Sequence, residues 1–278
     1  MHIHAVRTGT VRLKRRYVTA RWRRRPLRFL DVLADRTWTA PLPVYAWVVD
    51  HPAGPIVVDT GATVACYDGG RGGWLSTRVA RRTEWFDVAP EEEVGPQLRA
   101  LGIDPSDVRW VVLTRLAPDH ADGVPYFRNA DVVVSRREWD SVGAPDVWPS
   151  WVRRRLVDYD GSFESFPESH ALAEGVVLVA TPGATPGHQS VICHNDECAA
   201  FLAGDATFTQ AQLLTGAVAG GVADYDAAAR SIERIRAFAT GTPTVYLPSH
   251  DPDAPHRLRR RETVPLAHAE RAGDAPLT

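Results

Sequence analysis

Cysteine and methionine are scarce in this chain: three Cys and one Met occur in 278 residues. Three cysteines do not make a disulfide framework for a chain of this length, and an odd number leaves at least one thiol outside any internal pair. Disulfide frameworks belong to oxidising compartments. Their lack therefore indicates a reducing compartment, and we expect the protein to be cytoplasmic.

Long apolar runs and a strong charge of one sign are also missing. No apolar run reaches the roughly 18 residues that a membrane-spanning helix needs, and the N-terminal MHIHAVRTG has no apolar signal core. The formal net charge is -2 at pH 7, which gives no overall attraction to nucleic acid or to an anionic membrane. We expect a small-molecule substrate and no nucleic-acid or membrane partner; a homodimer is left open.

One segment departs from this charge balance. Residues 14–28 hold eight basic residues, interleaved with Tyr17 and Trp22. The pattern resembles a patch for nucleic acid or an acidic ligand. Because the chain as a whole is not basic, we favour a solvated hairpin or loop whose charges stay in water.

Hydrophobic residues make up 44% of the chain, and nine of them are Trp. This content supplies a sizeable core, and chains of this length often fold as one unit. We expect a single domain over residues 1–278. The polar, Ala- and Gly-rich stretch from about 265 to 278 is expected to be a frayed tail.

Short apolar segments between turn residues predict the strands. Residues 44–49 and 55–59 predict a hairpin around the turn DHPAG. Other predicted strands cover residues 110–113, 131–135, 175–180, 189–193, 199–204 and 244–247, and helices are predicted at 91–101 and 226–238. This order indicates an α+β protein with two sheets, outer helices and a site built from loops at one sheet edge.

Polar residues follow directly after several of these strands. They are Asp59 in VVDTG, Asp119 and His120 in LTRLAPDHADG, Asp205 in LAGDATF and His250 in LPSHDPD. Alone, each is more typical of a turn or a cap. As a set, imidazoles and carboxylates suit zinc, iron or manganese, because loops from separate strands can converge on one ion.

Five ordered segments resemble the metallo-β-lactamase superfamily. LTRLAPDHADG is similar to the signature T-H-x-H-x-D-H-x-G-G and ATPGATPGHQS to T-P-G-H-T-P-G-H, and GDA and SHD follow in the family order. With VYAWVVDHPAGPIVVDTG and LPSHDPDAPHRL, the resemblance is to the N-acyl-homoserine-lactone lactonase branch over about residues 1–264. It implies a four-layer αββα sandwich.

The departures from the family pattern all fall on one metal site. Arg115, Ala117 and Ala184 stand where the family has the three His ligands of its first metal. The resemblance implies that the second site is retained in full by Asp119, His120, Asp205 and His250. It therefore implies a site for one zinc, iron or manganese ion, although the low number of imidazoles leaves a metal-free protein as an alternative.

Arg115 has a physical role in either case. A guanidinium is always charged and bonds carboxylates bidentately, so it can lie near Asp119 and Asp205 where the first ion would have been. A side chain turned to solvent or paired elsewhere is the alternative. We name Asp119, His120 and Arg115 as catalytic candidates, the first two to assist a water molecule beside a single ion.

The resemblance also suggests roles for three other residues. Lactonases of this branch carry a Tyr shortly after the bridging Asp, whereas this chain has Phe208, which lacks the hydroxyl. Phe208 and His188 are candidates for the substrate-binding region, with His188 also interpreted as a packed, hydrogen-bonded residue. Asp59 is expected to orient the metal-binding residues without binding the metal itself.

Two functions follow from this sequence. The first is a divergent enzyme that acts on a small acyl or carbonyl substrate (a lactone, ester or thioester) with one ion or none, with secondary metabolism suggested by analogy. The second is a non-catalytic ligand-binding pseudoenzyme in which Arg115 replaces the first metal and pairs with the buried carboxylates. Either way, a standard dinuclear lactonase is not expected.

Overall fold

The computed structural model describes residues 1–67, 80–142, 148–194 and 197–266. From residue 267 onward, the predicted frayed tail lies outside the described residues, and the single-domain expectation stays a prediction. No helix in these ranges is long and apolar enough to cross a membrane. The cytoplasmic location also stays a prediction.

The first sheet has seven strands within the described residues, in the order β4-β1-β2-β3-β5-β6-β7. The predicted hairpin is present, with β2 antiparallel to β3, and β3, β5, β6 and β7 run parallel. The strands are β1 (His2–Leu13), β2 (Leu42–Asp50), β3 (Ile56–Val58), β4 (Glu84–Asp87), β5 (Trp110–Val112), β6 (Asp131–Ser135) and β7 (Arg153–Val157).

The second sheet has five strands in the described part of the chain, in the order β12-β11-β10-β9-β8. The strands predicted from apolar runs are all present to within two residues. In this sheet the predicted strands are β9 (Val176–Ala180), β10 (Gln189–His194), β11 (Ala199–Gly204) and β12 (Thr244–Pro248), and β8 (Ser169–Ala173) was not predicted. Only β11 and β12 pair in parallel; β8, β9, β10 and β11 are antiparallel neighbours.

Helices cover the outer faces of both sheets. The predicted helix at 226–238 is α8, and the helix predicted at 91–101 is a 3-10 turn, Pro90–Glu92, followed by α4. The helices are α1 (Arg15–Val18), α2 (Arg25–Ala34), α3 (Ala80–Thr83), α4 (Val94–Ala100), α5 (Pro118–Ala121), α6 (Arg136–Val142), α7 (Gln210–Thr215), α8 (Tyr225–Gly241) and α9 (Ala254–Arg260).

Three apolar clusters separate the layers. The central cluster joins alternate residues of both sheets, for example Trp47 and Val58 with Leu178 and Leu202. A second cluster packs α4 against the opposite face of the first sheet. A third packs the Ile232, Ile235 and Phe238 face of α8 against the second sheet. The predicted four-layer αββα sandwich is confirmed.

In the basic segment at 14–28, residues 15–18 form α1 and residues 25–28 begin α2, so the predicted hairpin is absent, whereas residues 19–24 form a loop and most of the charged side chains are exposed, as expected. Its charges are partly paired, since Arg16 lies 3.7 Å from Asp31 and Arg23 lies 2.6 Å from Asp226. Pro26 lies in the first turn of α2, where a missing N–H costs nothing. Pro26 is a signal for the start of a helix, but the surrounding arginines form no apolar pattern that would predict one. Tertiary contacts, rather than helix propensity, hold the segment in place.

The Trp-rich stretch after β6 packs into the outer layer. Trp139 and Trp148 have ring centroids 5.7 Å apart, and both pack against the cluster beneath α4 with Trp151. Residues 143–147 lie outside the described residues. Arg153 and its two neighbours open β7, an edge strand with exposed side chains. The homodimer, which was left open with no surface assigned to it, stays a prediction.

The polar loops that follow four of the strands lie at one edge of the sandwich. In the first sheet, β3 and β5 run parallel, so residues 59 and 114–120 emerge at the same end. In the second sheet, β11 and β12 are parallel, and Asp205 and His250 follow them. Since the carboxyl ends of parallel strands meet at one edge, these loops face each other across it.

Candidate metal centre

The four residues predicted as one metal site come together in the structure. Each of Asp119, His120, Asp205 and His250 offers one ligand atom, and these atoms all lie within 4.8 Å of one another. All four side chains are buried, with at most 5% of each residue exposed. The sequence prediction of which residues converge is therefore matched by their positions, and their role as ligands is a proposal.

His120 is held from behind by Asp59. The Asp59 backbone has φ 60°, a left-handed conformation that Asp tolerates better than most residues. Its carboxylate accepts a hydrogen bond from the Thr114 N–H at 2.8 Å and lies 2.7 Å from Nδ1 of His120. Because a carboxylate accepts, Nδ1 carries the proton, and Nε2 faces the cluster.

His250 is oriented in the same way by the backbone. Its Nδ1 lies 2.9 Å from the carbonyl oxygen of Pro43. A carbonyl can only accept, so Nδ1 again donates and Nε2 is directed to the cluster. Pro43 lies in β2, more than two hundred residues earlier in the chain, and the sequence offers no signal for this contact. Both imidazoles thus present the nitrogen that a metal would bind.

The atoms that face the centre make no well-aligned hydrogen bond. Nε2 of His120, Nε2 of His250 and Oδ1 of Asp205 are buried without a hydrogen-bond partner in the described residues. Buried polar atoms in this state are uncommon and need an explanation. Carboxylate oxygens do lie near the two nitrogens, but their alignment or distance is unsuited to hydrogen bonding, so the atoms converge on a shared space.

The spacing of these atoms fits a single ion. His250 Nε2 lies 3.2 Å from Asp205 Oδ1 and 3.3 Å from Asp119 Oδ2. His120 Nε2 lies 3.4 Å from Asp205 Oδ2 and 3.6 Å from Asp119 Oδ2. Ligands about 2.0–2.1 Å from a tetrahedral zinc lie about 3.3–3.4 Å apart. The donor set therefore fits one zinc, iron or manganese ion, and its identity is left to experiment.

Arg115 lies where the sequence predicted it, between the two carboxylates. Its Nη2 is 2.8 Å from Oδ2 of Asp205 and 3.2 Å from Oδ1 of Asp119. Its side chain is 14% exposed, and with Ala184 it lines a small cavity beside Asp205. The first-metal side of the centre thus holds a fixed positive charge and a methyl group instead of imidazoles.

The charges of the centre balance with or without an ion. Without one, two protonated imidazoles and Arg115 match the three carboxylates of Asp59, Asp119 and Asp205. With one, a divalent cation replaces the two imidazole protons and the sum is unchanged. Burial alone would raise the pKa of Asp119 and Asp205, but His120 and Arg115 outweigh it and hold both values low.

Metal uptake is consequently expected to release about two protons, one from each imidazole. Burial opposes protonation of His250, but Asp205 and Asp119 outweigh it and raise its pKa to about 9; the pKa of His120 is also raised well above its usual value. Metal binds only the neutral rings, so affinity should rise with pH up to and through the His250 pKa of about 9. Zinc titration in weakly buffered solution measures this; no proton release and a flat affinity would contradict it.

His188 lies beneath the centre rather than in it. Its Nε2 accepts from the Asp205 N–H at 3.0 Å, and its Nδ1 lies 3.0 Å from the Thr181 carbonyl oxygen. Burial lowers its pKa to about 4, so the ring is neutral and both nitrogens are occupied. Of its two predicted roles, we propose the hydrogen-bonded one: His188 positions Asp205 instead of contacting substrate.

Tyr17 and Glu84 belong to this site but gave no signal in the sequence. Tyr17 on α1 lines the small cavity with Arg115, Asp205 and Phe208. Leu13 pairs with Glu84 across β1 and β4, which brings the Glu84 carboxyl to the Tyr17 hydroxyl. Burial, with some help from Asp119, raises the pKa of Glu84 to about 7.

A larger cavity of about 270 Å³ adjoins the small one. The two share Tyr17, Ala184, Gly221 and Val222 in their walls. The outer cavity is completed by Arg25 and by apolar residues of α2. Tyr17 therefore lies in the wall that is common to the outer cavity and to the small cavity beside Arg115 and Asp205.

The sequence profile of the metallo-beta-lactamase superfamily matches residues 39–250. That span covers most of the chain and includes every residue of the four-donor cluster. The chain belongs to the metallo-β-lactamase superfamily. The predicted family is confirmed, and so is the fold it implied.

Curated relatives of this chain include N-acyl homoserine lactonases. The chain is 28% identical over 227 residues to N-acyl homoserine lactonase AttM of Azorhizobium caulinodans, covering 77% of this chain and 83% of the relative. The chain is 25% identical over 214 residues to N-acyl homoserine lactonase AiiA of Bacillus thuringiensis subsp. kurstaki, and the match covers 76% of this chain and 82% of the relative.

The fold is shared with solved lactonase structures. An N-acyl homoserine lactone hydrolase, with N-hexanoyl-L-homoserine bound at its catalytic metal centre, aligns with a TM-score of 0.73 at 21% identity over 91% of this chain and 95% of the other. AidC, a dizinc quorum-quenching lactonase, aligns with a TM-score of 0.62 at 15% identity, and the alignment covers 90% of this chain and 87% of AidC. The predicted likeness to the lactonase branch is confirmed.

Proposed function

We propose that the protein is a hydrolase that opens the ester of an N-acyl homoserine lactone, or a related small acyl ester, with one metal ion. Asp119, His120, Asp205 and His250 would hold that ion. The observation that carries the proposal is the convergence of unpartnered, buried donor atoms at the spacing of metal ligands. The lactonase relatives supply the substrate class.

A bound ion would polarise the ester carbonyl and lower the pKa of a water molecule. The residues of the chain supply the rest. Asp59 and the Pro43 carbonyl fix the two imidazoles, and His188 fixes the Asp205 backbone. This rigid support keeps the centre in one geometry, which is what electrostatic catalysis requires.

Arg115 contributes a permanent positive charge beside the reacting ester. Its guanidinium is buried, lies on the cavity wall and stays charged at all working pH values. Negative charge develops on the carbonyl oxygen when water attacks an ester, and a fixed buried cation stabilises it. Arg115 thus takes over part of what the first ion would do, while Asp119 is placed to accept a proton from water.

The binding-protein alternative has an observation in its favour. Arg115 already satisfies oxygens of both Asp119 and Asp205, and the charges of the centre balance without an ion. A metal-free pocket of this kind can bind a small polar ligand without chemistry. Hydrolysis assays on the metal-stripped and metal-loaded protein separate the two functions.

The direct test is hydrolysis of N-hexanoyl-L-homoserine lactone, followed by acid release at constant pH. Protein loaded with zinc, iron or manganese should turn over the lactone, and chelation should lower the rate at least about 10²-fold, since Lewis-acid assistance contributes several kcal/mol. Asp205→Asn, which keeps the shape but removes a charge, serves as the inactive reference. Equal rates in all three samples would disprove the proposal.

A further inference from the structure

The wall between the two cavities is formed in part by Tyr17. The inner space it closes is only about 10 Å³, roughly room for one water molecule. Of the residues that line this space, Arg115 and Asp205 are charged and paired with each other, and the others except Tyr17 are apolar. Among the described residues that line it, Tyr17 is therefore the one side chain that is an uncharged hydrogen-bond donor.

The backbone of Tyr17 is fixed by a neighbouring loop. Its carbonyl oxygen accepts from the N–H groups of Gly220 and Gly221 at 2.8 and 2.9 Å. The buried side chain of Arg28 donates to the carbonyl oxygens of Gly220, at 3.3 Å, and Val222, at 2.9 Å. The loop and the N-terminal helices thus form one unit, so the phenol is held in place before any substrate binds.

The ring of Tyr17 is fixed just as tightly. It meets the ring of Phe208 edge-on at 6.3 Å between centroids, and Phe208 lies 5.4 Å from the ring of His250. A Cβ atom added at Gly221 would lie 2.5 Å from Cζ of Tyr17. Glycine at this position is what allows the phenol to reach the centre.

The hydroxyl is kept as a donor. Burial raises the pKa of Tyr17 well above its usual value, and the charge of Glu84 adds to this effect while that of Arg115 opposes it. The phenol therefore stays protonated. The phenol already hydrogen-bonds to the Glu84 carboxyl, so it donates to an ester only when Glu84 is protonated and itself donates to the phenol oxygen.

We propose that the Tyr17 hydroxyl is a catalytic residue that donates a hydrogen bond to the carbonyl oxygen of the ester as the substrate passes from the outer cavity to the centre. This rests on the proposed function. Tyr17 lines both cavities together with Arg115 and Asp205 in the inner one, and a neutral buried donor gains strength as charge develops on the oxygen. Arg115 and Tyr17 would then contact that oxygen from two sides.

Tyr17→Phe in the metal-loaded full chain tests this directly. With N-hexanoyl-L-homoserine lactone, kcat should fall about 10²-fold while KM changes little, because the bond strengthens in the transition state. Tyr45→Phe, a change of the same atoms in β2 away from the cavity, should leave kcat unchanged. A Tyr17→Phe enzyme whose kcat stays within about twofold of wild type overturns the proposal.

A second variant keeps the hydroxyl and moves it. Gly221→Ala should displace the ring and lower kcat to a similar degree, whereas Gly241→Ala, whose Cβ would meet nothing within 4 Å, should not. A fully active Gly221→Ala enzyme would contradict the positioning. Tyr17→Phe, Tyr45→Phe and Gly241→Ala should unfold near the wild-type midpoint, whereas Gly221→Ala should unfold at a lower one because its Cβ overpacks the ring, so its kcat is measured where the variant is still folded.

Binding of the product N-hexanoyl-L-homoserine, measured by calorimetry, separates this inference from the proposed function. A wild type that binds the product but does not open the lactone disproves the hydrolase. In that case Tyr17→Phe should still weaken product binding about tenfold, as loss of one hydrogen bond would. Unchanged product binding by Tyr17→Phe overturns the Tyr17 contact. A wild type that neither hydrolyses nor binds overturns both.

Discussion

Replacing Arg115 with Met is expected to lower the free energy of unfolding of the metal-free protein by about 3–5 kcal/mol, the usual cost of removing one partner from a buried ion pair. Asp119 and Asp205 would remain buried with their negative charges and without the cation that lies 3.2 and 2.8 Å away. Methionine keeps most of the volume, so lost packing contributes little. Urea unfolding in the presence of a chelator measures the change.

The matched control is Arg153→Met, which removes an exposed pair with Asp131 at 2.9 Å. Exposed pairs contribute little to stability, so its unfolding midpoint should stay near the wild-type value. Saturating metal should reduce the loss of unfolding free energy caused by Arg115→Met, because the ion neutralises the same two carboxylates. If the two variants behave alike without metal, Arg115 does not balance the centre.

Replacing His250 with Ala is expected to weaken metal binding by at least about 10²-fold. Losing a residue that merely supports a ligand typically costs 10–100-fold, and His250 supplies one of only two imidazoles in the donor set. Wild type and variant would be loaded with zinc, dialysed and analysed for metal by plasma emission.

His256→Ala is the control for this variant. It removes an exposed imidazole six residues further along the chain, in α9, and should retain the wild-type metal content. Equal metal in the His250→Ala and wild-type proteins would show that the ion binds elsewhere. Circular dichroism of the variant distinguishes loss of the site from loss of the fold.

Much of the fold could be predicted because the buried strands are short, apolar and bounded by turn residues. β6 and β11 were predicted with the bounds found in the structure, and the apolar face of α8 was visible at helical spacing. Asp205 and His250 closely follow buried strands, whereas Asp119 and His120 lie on α5, and the resemblance of LTRLAPDHADG to the family signature is what placed them in the same set. Parallel neighbours then bring them to one edge.

The remaining parts depend on contacts that no local pattern shows. The arginines around Tyr17 indicated an exposed segment, yet hydrogen bonds to residues 218–222 hold it as helices over the site. Pro43 and Glu84 enter the site only because β2 and β4 flank β1 in the sheet. Long-range strand pairing and hydrogen bonding determine where these residues lie, and residue spacing along the sequence does not predict such contacts.

The number of metal ions per chain tests the one-ion centre most directly. Native mass spectrometry of the wild type, after incubation with excess zinc and removal of loosely bound metal, should show one ion per folded chain. Arg115 and Ala184 leave no imidazole on the other side of the centre, so a second ion is not expected. Two retained ions, or a folded chain that retains none, would contradict a one-ion hydrolase.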